Sequence, residues 1–177
     1  ETDRAQGLNA GIALTSAQTG APTSAVADAR SLSFSGEMAN KLKFAATLAI
    51  TETDGTVSAA GDSLKIGGAR SMTVVLDART NYKLDAKAGW RGADAAATVA
   101  RNIAKVSTLR YEDMRAAHQT DIESIMGRVS VDWGTSKSAV SGIATNLRLG
   151  AYSAGTDDPS LEQTMFAFGR YLLLSSS

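Results

Sequence analysis

The chain has no cysteine. That removes both a disulfide framework and thiolate chemistry from consideration. Among its 177 residues there is one histidine, His118, so a multi-histidine metal site within the chain is excluded. Lysine plus arginine number 18 and aspartate plus glutamate 18, which leaves a formal net charge of zero. No field of one sign favours nucleic acid or an anionic membrane. No apolar run approaches the ~18 residues of a membrane span. No signal peptide is visible. The composition fits a bacterial protein of any compartment. The chain starts at Glu1 without Met, which reads as processing, proteolysis or a chosen boundary. Its length suits one domain, or one domain plus part of another.

What is present divides in two. The first half is strand-like. Leu8 to Ser16 carry Ile12 and Leu14 in alternation, Ala21 to Ala29 read as a loop, and Leu32 and Phe34 alternate with serines. Lys41 to Ile50 is the clearest strand. Leu42, Phe44, Ala46, Leu48 and Ile50 share one face, and Lys41, Lys43 and Thr47 the other. Period two with one apolar face predicts an antiparallel sheet packed on one side. Asp54-Gly55 signals a hairpin turn, with Val57 and Ala59 on the return strand. Gly61-Asp62 turns again, Leu64 and Ile66 alternate, and Gly67-Gly68 turns once more. Met72, Val74, Leu76 and Ala78 close the series. Short strands with turns at about 8–12-residue spacing indicate a sandwich. Roughly six strands are thin for a complete two-sheet structure, so further strands are expected upstream.

After Lys87-Ala88-Gly89-Trp90-Arg91-Gly92 the pattern becomes helical. Asp94 caps a helix carrying Val99, Ile103 and Val106. A second helix starts near Thr108, with a stripe of Tyr111, Met114, His118, Ile122 and Ile125, and ends near Gly127. Val129, Val131 and Trp133 alternate and predict a short strand over Arg128 to Trp133. Gly134 to Gly142 is loop, and Thr145 to Leu149 leads into an acidic turn. Asp158 is then a good N-cap, and Pro159 suits the first helical position. Leu161, Met165, Phe168 and Leu172 recur at helical spacing, with Phe166, Tyr171 and Leu173 widening the stripe. So apolar a helix needs burial against another element, yet the sequence stops three residues after Leu174. That pattern is expected of one piece of a larger protein, with chemistry partly outside these residues.

Few residues here suit catalysis. His118 and Asp121 share a helix face and form an acid/base pair on one reading, a polar anchor for the linker helix on the other. No nucleophile elbow surrounds them, although Thr120 and Ser124 are near. Glu112, Asp113 and Glu123 lie on the same helix. Asp113 and Glu123, ten residues apart, are separated by roughly 15 Å along its axis, beyond the ~6.5–9.5 Å of an inverting carboxylate pair. Asp157-Asp158 is a metal site on one reading; helix capping and the helix dipole account for it more simply. Gly67-Gly68 and Gly142 lack the context of a phosphate loop. Arg170 in an apolar helix needs a partner: it braces the barrel beside a substrate pocket on one reading, and makes a structural salt bridge or snorkels to the surface on the other. Trp90 and Trp133 stack on sugar rings on one reading and pack at domain junctions on the other.

Five short motifs occur in one order: His118-Gln119-Thr120-Asp121; Gly127 to Asp132; Thr145-Asn146-Leu147-Arg148-Leu149; Asp158-Pro159-Ser160-Leu161; and Phe168 to Ser177. This resembles glycoside hydrolase family 95, the α-1,2-L-fucosidase type, specifically from about Tyr111 to Ser177. The likeness is weaker before Lys83, where Gly55 to Ala59 and Leu76 to Tyr82 fit the end of the family's sandwich. The resemblance implies mixed β and α architecture: an antiparallel β-sandwich portion over 1–90, a helical linker with a short strand over 91–134, and the start of an (α/α)6 catalytic barrel over 135–177. It implies inverting hydrolysis of terminal α-L-fucosyl, or related α-L-galactosyl, linkages by the whole protein. One carboxyl would protonate the glycosidic oxygen while another group activates water. The family's acid, its water-activating carboxylate and its assisting asparagines lie in the barrel past Ser177, so no catalytic, cofactor-binding or metal residue maps onto this chain.

The expectation is therefore a non-catalytic, cofactor-free part of a glycosidase. Its partners would be a glycan, met through the barrel, and the rest of its own polypeptide; neither nucleic acid nor membrane is expected. The resemblance implies an extracellular or periplasmic location. The alternative is an independent carbohydrate-binding or interaction sandwich whose apolar helix drives homo-oligomerisation. A third reading is a family-like protein that has lost its activity.

Overall fold

The computed structural model describes residues 2–3, 5–18 and 25–176. The chain divides into two compact units, residues 1–114 and 115–177. The first is a two-layer β structure with a helix on its outside.

Seven strands appear among the described residues: β1 (Leu8–Ala13), β2 (Val26–Ala27), β3 (Ser31–Glu37), β4 (Lys43–Thr53), β5 (Thr56–Ala60), β6 (Ser63–Ala69) and β7 (Met72–Thr80). They form two antiparallel sheets, ordered β1-β6-β5 and β2-β3-β4-β7. The loop expected over Ala21 to Ala29 lies partly outside the described residues, and β2 falls within its remainder.

The sheets pack face to face, as the alternating pattern predicts. Leu32 and Ile50 come from one, and Leu64, Ile66 and Ala69 from the other, into one buried cluster. Cross-strand pairing puts Leu32 opposite Leu48 and Leu48 opposite Leu76, so these share the inward face. The outermost strand is less well covered: Leu76 remains 58% exposed.

In the β unit the structure corrects three details of the sequence reading. First, β4 is buried on both faces. Ala45 and Ala49 are buried as well as Phe44, Ala46 and Ile50. Helix α1 (Ala95–Val106) covers the second face, with Ala95, Val99 and Ile103 against Ala45. Small alanine side chains allow that close approach, and they carry little weight in an alternation count. Asp94 caps α1 as expected, accepting a hydrogen bond from the Ala97 N–H at 2.8 Å.

Second, Asp54-Gly55 is a corner between sheets, not a hairpin. β4 belongs to one sheet and β5 to the other. Asp54 Oδ1 accepts from the Arg70 N–H at 2.9 Å and the Ser71 N–H at 3.0 Å. Those residues connect β6 to β7, another crossing between the sheets, so one carboxylate ties two corners together. These backbone donors, Ser71 first, hold the Asp54 carboxyl below its ordinary range. Third, Gly67-Gly68 lies inside β6, facing the register shift of β1, where the Gly68 N–H donates to Asn9 Oδ1 at 3.0 Å.

A side chain at Gly55 would collide with the partner corner. Its Cβ would sit 2.7 Å from the Cα, Cβ and N of Ala69. Gly55→Ala is therefore expected to destabilise the sandwich by about 1–3 kcal/mol. A urea midpoint unchanged from wild type would show that the corner shifts without cost.

Helix α2 (Tyr111–Met126) begins in the first unit and continues into the second. The second unit also contains α3 (Ser138–Ser141), α4 (Thr145–Ser153) and α5 (Pro159–Ser176). The short strand expected over Arg128 to Trp133 does not form; Arg128 lies in a turn and residues 129–133 have no regular secondary structure. Alternation alone cannot make a strand where no neighbouring strand completes a ladder. Thr145 to Leu149, expected as a lead-in, is helical. On α5 the expected stripe is present but only Leu161 is buried. Met165, Phe168 and Leu173 are 54%, 55% and 73% exposed.

Candidate functional site

The densest polar constellation lies where α4 meets the start of α5. Asp158 is fully buried. Arg148 donates to it twice, from Nε to Oδ2 at 2.9 Å and from Nη2 to Oδ1 at 2.7 Å. This bidentate, charge-assisted pairing is among the strongest a protein makes. Ser136 Oγ also donates to Oδ1, as does the Leu161 N–H at 3.1 Å, which makes Asp158 the N-cap of α5. Ser136 and Ser160 exchange hydrogen bonds, each N–H donating to the other's Oγ, at 3.2 and 3.0 Å. Gln163 donates to the Gly134 carbonyl at 2.8 Å. One carboxylate thus joins α4, α5 and the 134–136 segment.

The electrostatics follow from that geometry. The Arg148 hydrogen bond, then those from Ser136 and Leu161, hold the Asp158 carboxyl far below the usual carboxylate range, against the effect of burial. The same pairing raises Arg148. A carboxyl so stabilised in its charged form is a poor general acid near neutral pH. Its bonds tie the start of α5 to α4 and to Ser136.

Those bonds set an acid dependence. The folded pKa lies below the unfolded 3.8. The contribution to stability is therefore complete above 3.8 and lost as pH falls through the lower folded value. The helical unit is expected to keep its far-UV circular dichroism from neutral pH to about pH 4 and to lose it below. Loss already complete at about pH 5 would contradict this assignment.

A second feature is the far end of α2. Arg170 Nη1 donates to the carbonyls of Met126 at 3.2 Å and Val129 at 2.8 Å. Its guanidinium also lies 5.8 Å from the centroid of the Phe166 ring. Backbone carbonyls, rather than an acid, hold Arg170. A cation suits the Met126 carbonyl, at the C-terminal end of α2, where carbonyls lack helical partners. Phe166 meets Trp133 edge-on at 5.8 Å. Beside them Tyr152 OH donates to Glu162 Oε1 at 2.6 Å, which raises the tyrosine's pKa. Trp133, Tyr152, Met165 and Phe166 wall a cleft of about 540 Å³.

The other candidates stay apart. His118, Asp121, Asp113 and Glu123 are exposed along α2, and no hydrogen bond joins His118 to Asp121 among the described residues. No group of three or more metal-ligating side chains occurs among the described residues. Asp157 is exposed beside the buried Asp158. Sequence reasoning gave no part to Ser136 or Arg148. A charge flanked by Leu147 and Leu149 was the one available sign that Arg148 needed a buried partner.

Comparison with known proteins agrees with this division. Residues 110–177 match the glycosyl hydrolase family 95 catalytic domain. The chain is glycoside hydrolase family 95-like. Residues 1–85 match the glycosyl hydrolase family 65 N-terminal domain, which places a recognised sandwich-side module ahead of the helical one. Alpha-L-fucosidase 2 of Arabidopsis thaliana is 32% identical over 146 residues, covering 77% of this chain. The chain spans 17% of that relative's length. The family 95-like motifs carry the network described above. Arg148 comes from the Thr145–Leu149 motif and Asp158 from the Asp158–Leu161 motif, and Arg170 of the last motif grips the end of α2. These residues hold helices together.

Proposed function

We propose that this chain is a non-catalytic part of a glycosidase of the α-L-fucosidase type, acting in carbohydrate breakdown by inversion at terminal α-L-fucosyl or related α-L-galactosyl linkages. The carrying observation is that the buried carboxylate of Asp158 is saturated by Arg148, Ser136 and a backbone N–H. An inverting hydrolase needs two carboxyl-type groups facing a sugar with room for water. The acidic side chains of α2 are exposed and do not converge.

In this reading residues 1–90 complete part of a sandwich, 91–134 link, and 135–177 begin an (α/α)6 barrel. The exposed stripe of Met165, Phe168 and Leu172 would lie against further helices of the same polypeptide, as so apolar a surface favours. The glycan would be met through that completed barrel. Hydrolysis of external glycans would suit an extracellular or periplasmic setting. In the alternative reading, the same stripe pairs two copies of the chain.

The purified chain is expected to release no fucose from 2′-fucosyllactose, followed by proton NMR. Release above buffer and contaminant controls, abolished by changing a residue of this chain, would place a catalytic site within these residues and overturn the proposal.

A further inference from the structure

A different cleft, in the β unit, has the make-up of a sugar-binding site. Its volume is about 600 Å³, within the range of small-ligand sites. Phe34, Met38 and Phe44 form its apolar part, with Phe34 and Phe44 edge-to-face at 6.2 Å. Ser16, Gln18, Arg79 and Thr80 bring hydroxyl, amide and guanidinium groups to it. Arg79 is fixed by Nε donating to Asp77 Oδ1 at 2.9 Å.

Tyr82 lines the same cleft, and its ring is parallel to that of Trp90, with centroids 6.4 Å apart. Both remain exposed, at 54% and 44%. This aromatic pair is held in place at a backbone cost. Trp90 adopts φ +61°, in the left-handed region that disfavours a bulky side chain. The surrounding loop fixes it there. Trp90 N–H donates to the Asp85 carbonyl at 2.9 Å, and the Gly92 N–H to the Asn81 carbonyl at 2.7 Å. Arg91 Nη2 anchors the loop by donating to the Asn40 carbonyl at 2.7 Å. Strain maintained by so many bonds concentrates where a surface has a use.

We infer that this cleft binds the pyranose ring of a glycan, with the Tyr82 ring, braced by its stack on Trp90, as an aromatic wall. A pyranose offers a face of C–H groups and a rim of hydroxyls. The first suits aromatic and apolar walls. The second suits donors and acceptors placed around them. An anionic ligand would have one fixed cation but an otherwise neutral setting, and a purely apolar ligand would leave the rim groups unpaired. The inference rests on the cleft alone and not on the fucosidase reading, which would survive its failure.

The test is an NMR titration of the 177-residue chain with L-fucose and D-galactose, using sorbitol as a polyol without a ring. Saturable shifts of the Trp90 indole and of the Phe34 and Tyr82 signals are expected, with a Kd on the order of 10 mM or tighter. Sorbitol should leave them unmoved. Tyr82→Ala should weaken binding at least roughly tenfold, and Tyr82→Phe, which keeps the ring, should retain most of it. The dispersed amide signals of β4 and β6 report that both variants remain folded. No saturable shift with either sugar, equal shifts with sorbitol, or undiminished binding by folded Tyr82→Ala would overturn the inference.

Discussion

Leu64→Ala is expected to lower the unfolding free energy of the β unit by about 2–5 kcal/mol. Leu64 has no exposed surface. It sits in the middle strand of the three-stranded sheet, opposite Ile12 on β1 and Ala59 on β5, and projects into the cluster with Leu32, Ile50 and Ile66. Truncation removes apolar contact and leaves a cavity that strands on both sides prevent from collapsing. Against a typical domain stability of about 5–15 kcal/mol, that is a large share. Leu76→Ala provides the contrast. It lies on the inward-facing side of the other sheet but is 58% exposed, so a loss within about 0.5 kcal/mol is expected. Urea unfolding followed by circular dichroism compares the two. Equal losses would mean that the burial pattern described for the sandwich is wrong.

Asp158→Ala is expected to unlock the helical unit while sparing the sandwich. It removes the N-cap of α5, both acceptors of Arg148 and the partner of Ser136. Removing one member of a buried ion pair harms more than the pair itself contributes, because the other charge stays behind without compensation. Amide hydrogen exchange should quicken roughly tenfold or more in α4 and the first turns of α5. Amides of β4 and β6, in the other unit, should not change. Asp158→Asn, which keeps a capping oxygen but loses the charge, should fall between. Unchanged exchange in α5 would show that the network is incidental.

Several elements were legible from residue order. The alternation of Leu42 through Ile50 marked β4. Asp94 and Asp158 marked the starts of α1 and α5 through their capping chemistry. The motif order from His118 to Ser177 pointed to family 95. Other features were not legible. Asp54-Gly55 has the same local signature whether it closes a hairpin or turns a corner between sheets; the difference lies in hydrogen bonds to Arg70 and Ser71, far along the chain. Val129 and Val131 alternate as a strand would, but a strand also needs a neighbour.

Residue chemistry and spacing alone settled that this chain has no disulfide, no multi-histidine metal site and no membrane-length apolar run, and that strands precede helices. Those conclusions depend on composition and on periodicities of two and 3.6, which are local. Which face of β4 a helix covers, which corner Asp54 ties and which arginine neutralises Asp158 were decided by folding. Each depends on groups many residues apart brought within about 3 Å, and only the packed chain specifies those meetings. The stack of Tyr82 and Trp90 belongs to the second kind: the two rings lie parallel, 6.4 Å apart, with Trp90 held in the left-handed region.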